Sequence, residues 1–208
     1  MKFLYQKYEE KFNGPGSKVK MDRSWEWYKN EGKPSVPHER YKYSIAHLYG
    51  NVLDVGSGDG FGAYLMSKSP RIKTITCLEI QDEAIKHARR NLRGIENVKI
   101  YKGIGEKMPF TKPFDSIHCG ATLEHVFDDK AVLYEIKRLL GGIAVISVPI
   151  HSPVSPHYHI REYKSDDAFL RLVKEYLDVI TYKVFTRVRI KKSTIVVIAK
   201  KKKYDKGT

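Results

Sequence analysis

Apolar residues in this chain fall into two alternating patterns: short continuous runs, and stretches in which they recur every three or four positions. Residues 52–55 form the first run, followed by the glycine-rich segment 56–62 and a helical stretch over 63–68. Residues 74–80 predict a second strand. Over 82–92 the spacing of Ile85, Ala88 and Leu92 predicts an amphipathic helix that Gly94 stops. Runs at 98–101 and 114–120 give a third and fourth strand. Residues 128–140 predict a helix with Val132, Leu133, Ile136 and Leu139 inward, and 143–150 a fifth strand. Ser165 caps a further helix to about residue 176, and the runs 179–185 and 194–199 predict a closing antiparallel pair. Ahead of the first strand, Ser35 and Pro37 start a helix in which Tyr41, Ile45 and Leu48 recur until Gly50. Strand and helix in this rhythm predict an α/β fold: a doubly wound, seven-stranded, mostly parallel sheet with a C-terminal antiparallel pair and helices on both faces.

Composition narrows the reading only a little. A length of 208 residues fits one domain with an appendage, and 41% hydrophobic with 12% aromatic residues excludes wholesale disorder. Residues 1–34 place Gly14, Pro15, Gly16, Gly32 and Pro34 around Trp25, Trp27 and Tyr28 and are expected to form an arm or lid; 35–200 are the folded domain and 201–208 a basic tail. No apolar run approaches the roughly 20 residues of a membrane span, and residues 1–10 lack a secretory pattern, so a cytoplasmic protein is expected. Cys77 and Cys119 lie inside strand-like runs outside any C-x-x-C spacing and are expected to be buried, reduced thiols. The net charge of +14 is concentrated late, where residues 151–208 carry 14 Lys and Arg against 6 Asp and Glu. Such an excess suits nucleic acid, an acidic surface or a phosphorylated substrate, and its last part reads as a solvated tail.

The glycine segment carries the chemistry. Between a strand and a helix, glycines let backbone approach a ligand beside the unpaired N–H groups of the helix start. Glu79 closes the next strand, 19 positions after Gly60, where a carboxylate can accept both hydroxyls of a ribose. A dinucleotide fingerprint G-x-G-x-x-G would need glycine at position 61, which is Phe61; the order is G-x-G-x-G at Gly56, Gly58 and Gly60. That spacing, with Asp54 ahead of it in Val52-Leu53-Asp54-Val55-Gly56-Ser57-Gly58-Asp59-Gly60, resembles the first motif of class I S-adenosylmethionine-dependent methyltransferases. Lys102-Gly103-Ile104-Gly105-Glu106-Lys107-Met108-Pro109-Phe110 resembles that family's adenine-side loop. Phe114-Asp115-Ser116-Ile117 resembles its fourth strand, and Leu123-Glu124-His125-Val126 the segment beyond. The resemblance runs over residues 38–163 and is similar in particular to the small-molecule and glycan-pathway group, through His159-Ile160-Arg161-Glu162-Tyr163 and Glu39-Arg40-Tyr41.

The resemblance implies a Rossmann-like fold and S-adenosylmethionine as cofactor, with S-adenosylhomocysteine as product. It implies cofactor contacts at Tyr41, Asp54, Gly56, Ser57, Gly58, Gly60, Glu79, Ile80, Ile104, Gly105, Glu106 and Gly120. Two departures stand out. Ile104 replaces the acid usual in the adenine loop, leaving the backbone of Gly105 as donor, and Leu140-Gly141-Gly142 is shorter than the usual turn and lacks its proline.

Methyl transfer is an in-line displacement, for which the protein mainly aligns two reactants. A hydroxyl acceptor also benefits from a base, so His125, His151, His157 and His159 come into consideration. The catalytic candidates are His125, His159 and Glu162; a loop-fixing role for His125, and a His159–Glu162 pair that only fixes a loop, fit the residues as well. Histidines at i, i+6 and i+8 in a proline-rich loop, with no carboxylate closely before them, show no metal-binding spacing. The expected function is methylation of a small polar acceptor, foremost a hydroxyl of a sugar, nucleotide sugar or glycan in polysaccharide synthesis. The acceptor itself is a small molecule or glycan, anionic if the charge bears on it. The alternatives are an RNA methyltransferase using the basic surface and a non-catalytic cofactor-binding or interaction protein. Cys119-Gly120-Ala121-Thr122 replaces the Asn/Asp-Pro-Pro-aromatic segment of base-modifying amino methyltransferases, which turns the reading away from base amines.

Overall fold

A computed structural model describes residues 2–8, 10–11, 36–152, 154, 159–187 and 192–203. Trp25, Trp27, Tyr28, Ser35 and His157 lie outside the described residues.

Helix α1 spans Lys2–Tyr8 and α2 Val36–Ile45. The sheet begins at β1 (Gly50–Val55), and α3 (Phe61–Met66), β2 (Ile72–Glu79), α4 (Asp82–Asn91), β3 (Val98–Lys102) and β4 (Phe114–Gly120) follow. After a short 3-10 turn at Leu123–His125 come α5 (Asp129–Leu139), β5 (Leu140–Ile150), α6 (Asp166–Tyr176), β6 (Leu177–Arg187) and β7 (Lys192–Lys201). The strand order is β3-β2-β1-β4-β5-β7-β6, parallel from β3 to β5, with β7 inserted antiparallel between β5 and β6.

Period-two alternation sends successive side chains to opposite faces, and two cores result. Leu53, Val55, Ile117 and Cys119 pack with Val132, Ile136, Phe169 and Val173 from α5 and α6. Val52, Ile75 and Cys77 pack on the other side with Ala63, Met66, Ala88 and Leu92 from α3 and the α4 region. Both covering helices of the first face are capped as their sequences dictate: Asp128 Oδ1 accepts from Ala131 N at 2.9 Å and Ser165 Oγ from Ala168 N at 3.1 Å.

The expected turn over residues 140–142 is absent. Helix α5 runs straight into β5, whose Leu140 pairs with Phe114. A Cβ on Gly142 would collide with Tyr49 Oη and sit 2.5 Å from Asp115 O, so the two glycines let the strand start tight against its neighbours.

Candidate functional site

Chain order reverses between β1 and β4, and the carboxyl edge of the sheet at such a switch point is where ligands of open α/β folds bind, in the crevice that this topology creates. Its first wall is the loop after β1. Gly56, Gly58 and Gly60 all have left-handed φ of 68°, 57° and 85°. A Cβ on Gly56 would stand 2.5 Å from both Cγ2 and Oγ1 of Thr122, so glycine there lets the β1 loop lie against the segment after β4.

Glu79 is buried at the end of β2, where its carboxylate gathers three amides. Oε2 accepts from Gly58 N at 2.8 Å, and Oε1 from Ile80 N at 2.8 Å and Gln81 N at 3.0 Å. Burial raises its pKa and the amides of Gln81, Gly58 and Ile80 oppose the rise. With a single bond, Oε2 retains room for another donor. Beside it Ile80 and Ile104 form an apolar slot on which Tyr8 of α1 packs, and Gln81 Oε1 and Glu106 Oε2 are buried with no hydrogen-bond partner among the described residues. An apolar slot rimmed by unsatisfied acceptors and a ribose-type carboxylate fits the adenosine half of S-adenosylmethionine. Glu106 is also tied back: its Oε1 accepts from Tyr8 Oη at 2.6 Å, Phe127 N at 3.1 Å and Asp128 N at 3.3 Å.

Asp54 lies beneath the loop, 2% exposed, with Oδ1 2.7 Å from His118 Nδ1. Tyr41 meets this pair from α2. Its ring packs edge-on to Phe61 at 5.5 Å and near His118 at 6.0 Å, and a Cβ on Gly62 would reach to 3.0 Å from it. The Arg40 guanidinium lies 5.2 Å from the centroid of the Tyr41 ring. Three other positions implied by the resemblance are tightly packed. Ser57 is buried in the loop, Gly105 stands against Val132 and Val55, and Gly120 leaves no room for a Cβ beside the His118 ring.

Beyond β4, Ala121 takes an unusual φ of 55° and the 3-10 turn delivers Glu124 and His125. The loop after β5 returns to meet them: Glu124 O accepts from Ile160 N at 2.9 Å and Arg161 N at 3.2 Å. His159 is thereby brought edge-on to His125, with ring centroids 5.0 Å apart, and Ser152 Oγ lies 3.1 Å from His159 Nδ1. Glu124 is 2% exposed; its Oε1 lies 3.8 Å from His125 Nε2 and its Oε2 has no hydrogen-bond partner among the described residues. Burial pushes its carboxyl up to about 8, against its own backbone amide and the charge of Arg40. The expected pairing of His159 with Glu162 is not formed. Glu162 is half-buried and has no hydrogen bond or ion pair to a described residue, and the carboxylate beside His159 is Glu124. His151 is exposed at the end of β5.

Three participants escaped the sequence reading. His118 carried a signal in the predicted strands, because it stands opposite Asp54 in the β1–β4 register. Tyr8 carried none, since its partners come from distant segments, and Glu124 only its place in the segment Leu123-Glu124-His125-Val126.

The strand order, the glycine loop after β1 and the acid closing β2 are those of a class I, Rossmann-like methyltransferase fold. The chain belongs to the methyltransferase-domain family, whose match covers residues 49–200. It is 28% identical over 118 residues to the chloroplastic 2-methyl-6-phytyl-1,4-hydroquinone methyltransferase 1 of Oryza sativa subsp. japonica, covering 55% of this chain and 34% of that one. To the uncharacterized methyltransferase YcgJ of Bacillus subtilis (strain 168) it is 30% identical over 92 residues, 43% of this chain and 36% of that one. The chain thus spans about a third of the length of these curated relatives. Among solved structures, N-methyltransferase NodS of Bradyrhizobium japonicum WM9, in complex with S-adenosyl-L-homocysteine, superposes with a TM-score of 0.69 at 13% identity, covering 95% of this chain and 98% of that one.

Proposed function

We propose that this protein transfers a methyl group from S-adenosylmethionine to a hydroxyl of a small polar acceptor: a sugar, a nucleotide sugar or a glycan. The observation that carries the reading is the His125–His159 pair, set against Glu124 beyond β4, beside the segment that abuts the glycine loop. Bound cofactor supplies a methyl group activated by its sulfonium charge. Glu79 and the glycine loop hold its nucleoside, Asp54 and Tyr41 shape the far end of the crevice, and Ile80, Ile104, Gly105 and Glu106 line the base-binding slot. At the acceptor end the imidazoles of His125 and His159 assist loss of the hydroxyl proton during attack. The reading includes a cytoplasmic place in polysaccharide synthesis; among the described residues no helix is long and apolar enough to cross a membrane.

A second reading, RNA methylation, draws on the net charge of +14. The test is calorimetric titration with S-adenosylmethionine and S-adenosylhomocysteine, followed by acceptor screening with sugars, nucleotide sugars and glycans, then RNA. Both cofactor forms are expected to bind saturably, and Glu79→Gln to weaken them at least 10-fold through the lost charge-assisted bonds. Absence of binding by folded protein overturns the reading; turnover of RNA alone selects the second.

A further inference from the structure

Glu124, His125 and His159 each bring one ligand-type atom within 4.8 Å of the others. The three come from two segments 34 residues apart, so chain spacing conceals them, and the two segments are stapled by the amides of Ile160 and Arg161 on the Glu124 carbonyl. We propose that this cluster is a divalent-cation site, with two imidazole nitrogens and one carboxylate oxygen as ligands.

Three independent features support it. First, the Glu124 side chain is nine-tenths buried or more, and its Oε2 has no hydrogen-bond partner among the described residues. A carboxylate so placed calls for a positive partner. Arg40 serves it only through space, while Arg161 is committed elsewhere: its Nε lies 3.2 Å from Asp129 Oδ2, and its terminal nitrogens donate to the carbonyls of Val126 and Phe127, both at 3.2 Å. Second, the ligand shell is oriented from behind. Ser152 Oγ fixes the His159 ring through Nδ1, the kind of outer contact that sets a metal-binding imidazole. Third, the size is right. Three donors held at bonds of about 2.1 Å stand about 3.0–3.6 Å from one another, so the cluster closes on an ion by a shift of about 1 Å.

Two imidazoles and a carboxylate suit Mn²⁺, Fe²⁺, Co²⁺ or Zn²⁺ and leave coordination positions open. This deepens the hydroxyl-methylation reading and rests on it for its use. At the acceptor end, a cation there binds an oxygen of the acceptor, orients the hydroxyl and eases release of its proton to water, with the oxygen keeping the bonding pair. In that arrangement His125 and His159 assist the loss of the proton through the ion that they hold.

The test uses the full chain, stripped with a chelator and titrated with MnCl₂ alone, free Mn²⁺ being followed by electron paramagnetic resonance. One saturable site per chain is expected. It should weaken at least 30-fold in His159→Ala and in Glu124→Gln, while S-adenosylhomocysteine affinity, read on the same preparations, stays within about threefold. If Glu124→Gln does not fold, His125→Ala with the same two readouts replaces it. No saturable site in the wild type, or a site unchanged in the histidine variants, overturns the proposal. Mn²⁺ binding by a protein that does not bind S-adenosylhomocysteine upholds the site and overturns the methyl-transfer reading instead.

Discussion

Asp54 and His118 are the pair on which the crevice floor rests. Both are nearly sequestered, and the carboxylate oxygen lies 2.7 Å from the ring nitrogen, between Tyr41 and the β1 loop. Removing one partner strands the other, which for buried charged pairs costs on the order of 3–5 kcal/mol. His118→Leu is therefore expected to lower the urea midpoint sharply, and His118→Asn, which keeps a donor near Asp54, to recover part of the loss. Equal stability of His118→Leu and wild type in urea titration would show that Asp54 finds another partner. At this scale the glycine loop and Glu79 were legible because they lie close together in the chain and their chemistry follows from spacing. Glu124 was not, because its burial and its neighbour His159 are produced by a loop folding back over 35 residues of separation.

Helix α1 shows what an element adds to the site. It is only seven residues long, Lys2–Tyr8, too short to be stable alone, so its order depends on what it docks against. Leu4, Tyr5 and Tyr8 pack on Ile80 and Ile104, and Tyr8 Oη donates to Glu106 at 2.6 Å and lies 3.2 Å from Phe127 N. Within residues 1–34, α1 thus packs on the apolar surface of Ile80 and Ile104, the proposed slot for the base. Tyr8→Phe removes the bond to a carboxylate, worth about 1.5–3 kcal/mol, and leaves the ring packing. Helix α1 is expected to become more sensitive to limited proteolysis and S-adenosylhomocysteine affinity to fall about 10-fold, with the melting temperature of the sheet domain nearly unchanged; unchanged affinity would detach α1 from the site. The other elements were legible from periodicity, since seven apolar runs and their helices recur at the predicted places. Where the reading slipped, at residues 140–142, two glycines allow a strand to begin without a turn, and apolar pattern alone cannot distinguish those outcomes.

The whole molecule offers a test of cooperativity through its two thiols. Cys77 lies in β2 and Cys119 in β4, and they point into the two cores on opposite faces of the sheet. Both are fully buried, and burial pushes both thiols well above their usual range, so the native protein presents no thiolate. A disulfide-exchange reagent can then reach either sulfur only through opening of the structure. The strands that hold them are joined through β1 in a continuous parallel ladder, so exposing one core disrupts the other. In native buffer at pH 8 both cysteines are expected to label orders of magnitude more slowly than a free thiol. Added denaturant should raise both rates together, with the same slope, as expected when labelling tracks one global unfolding equilibrium. Peptide mapping of the labelled protein checks this directly. Earlier labelling of Cys77 would mean that the face covered by α3 and α4 opens on its own, and the crevice would then be a boundary between two folding units that separate along β1.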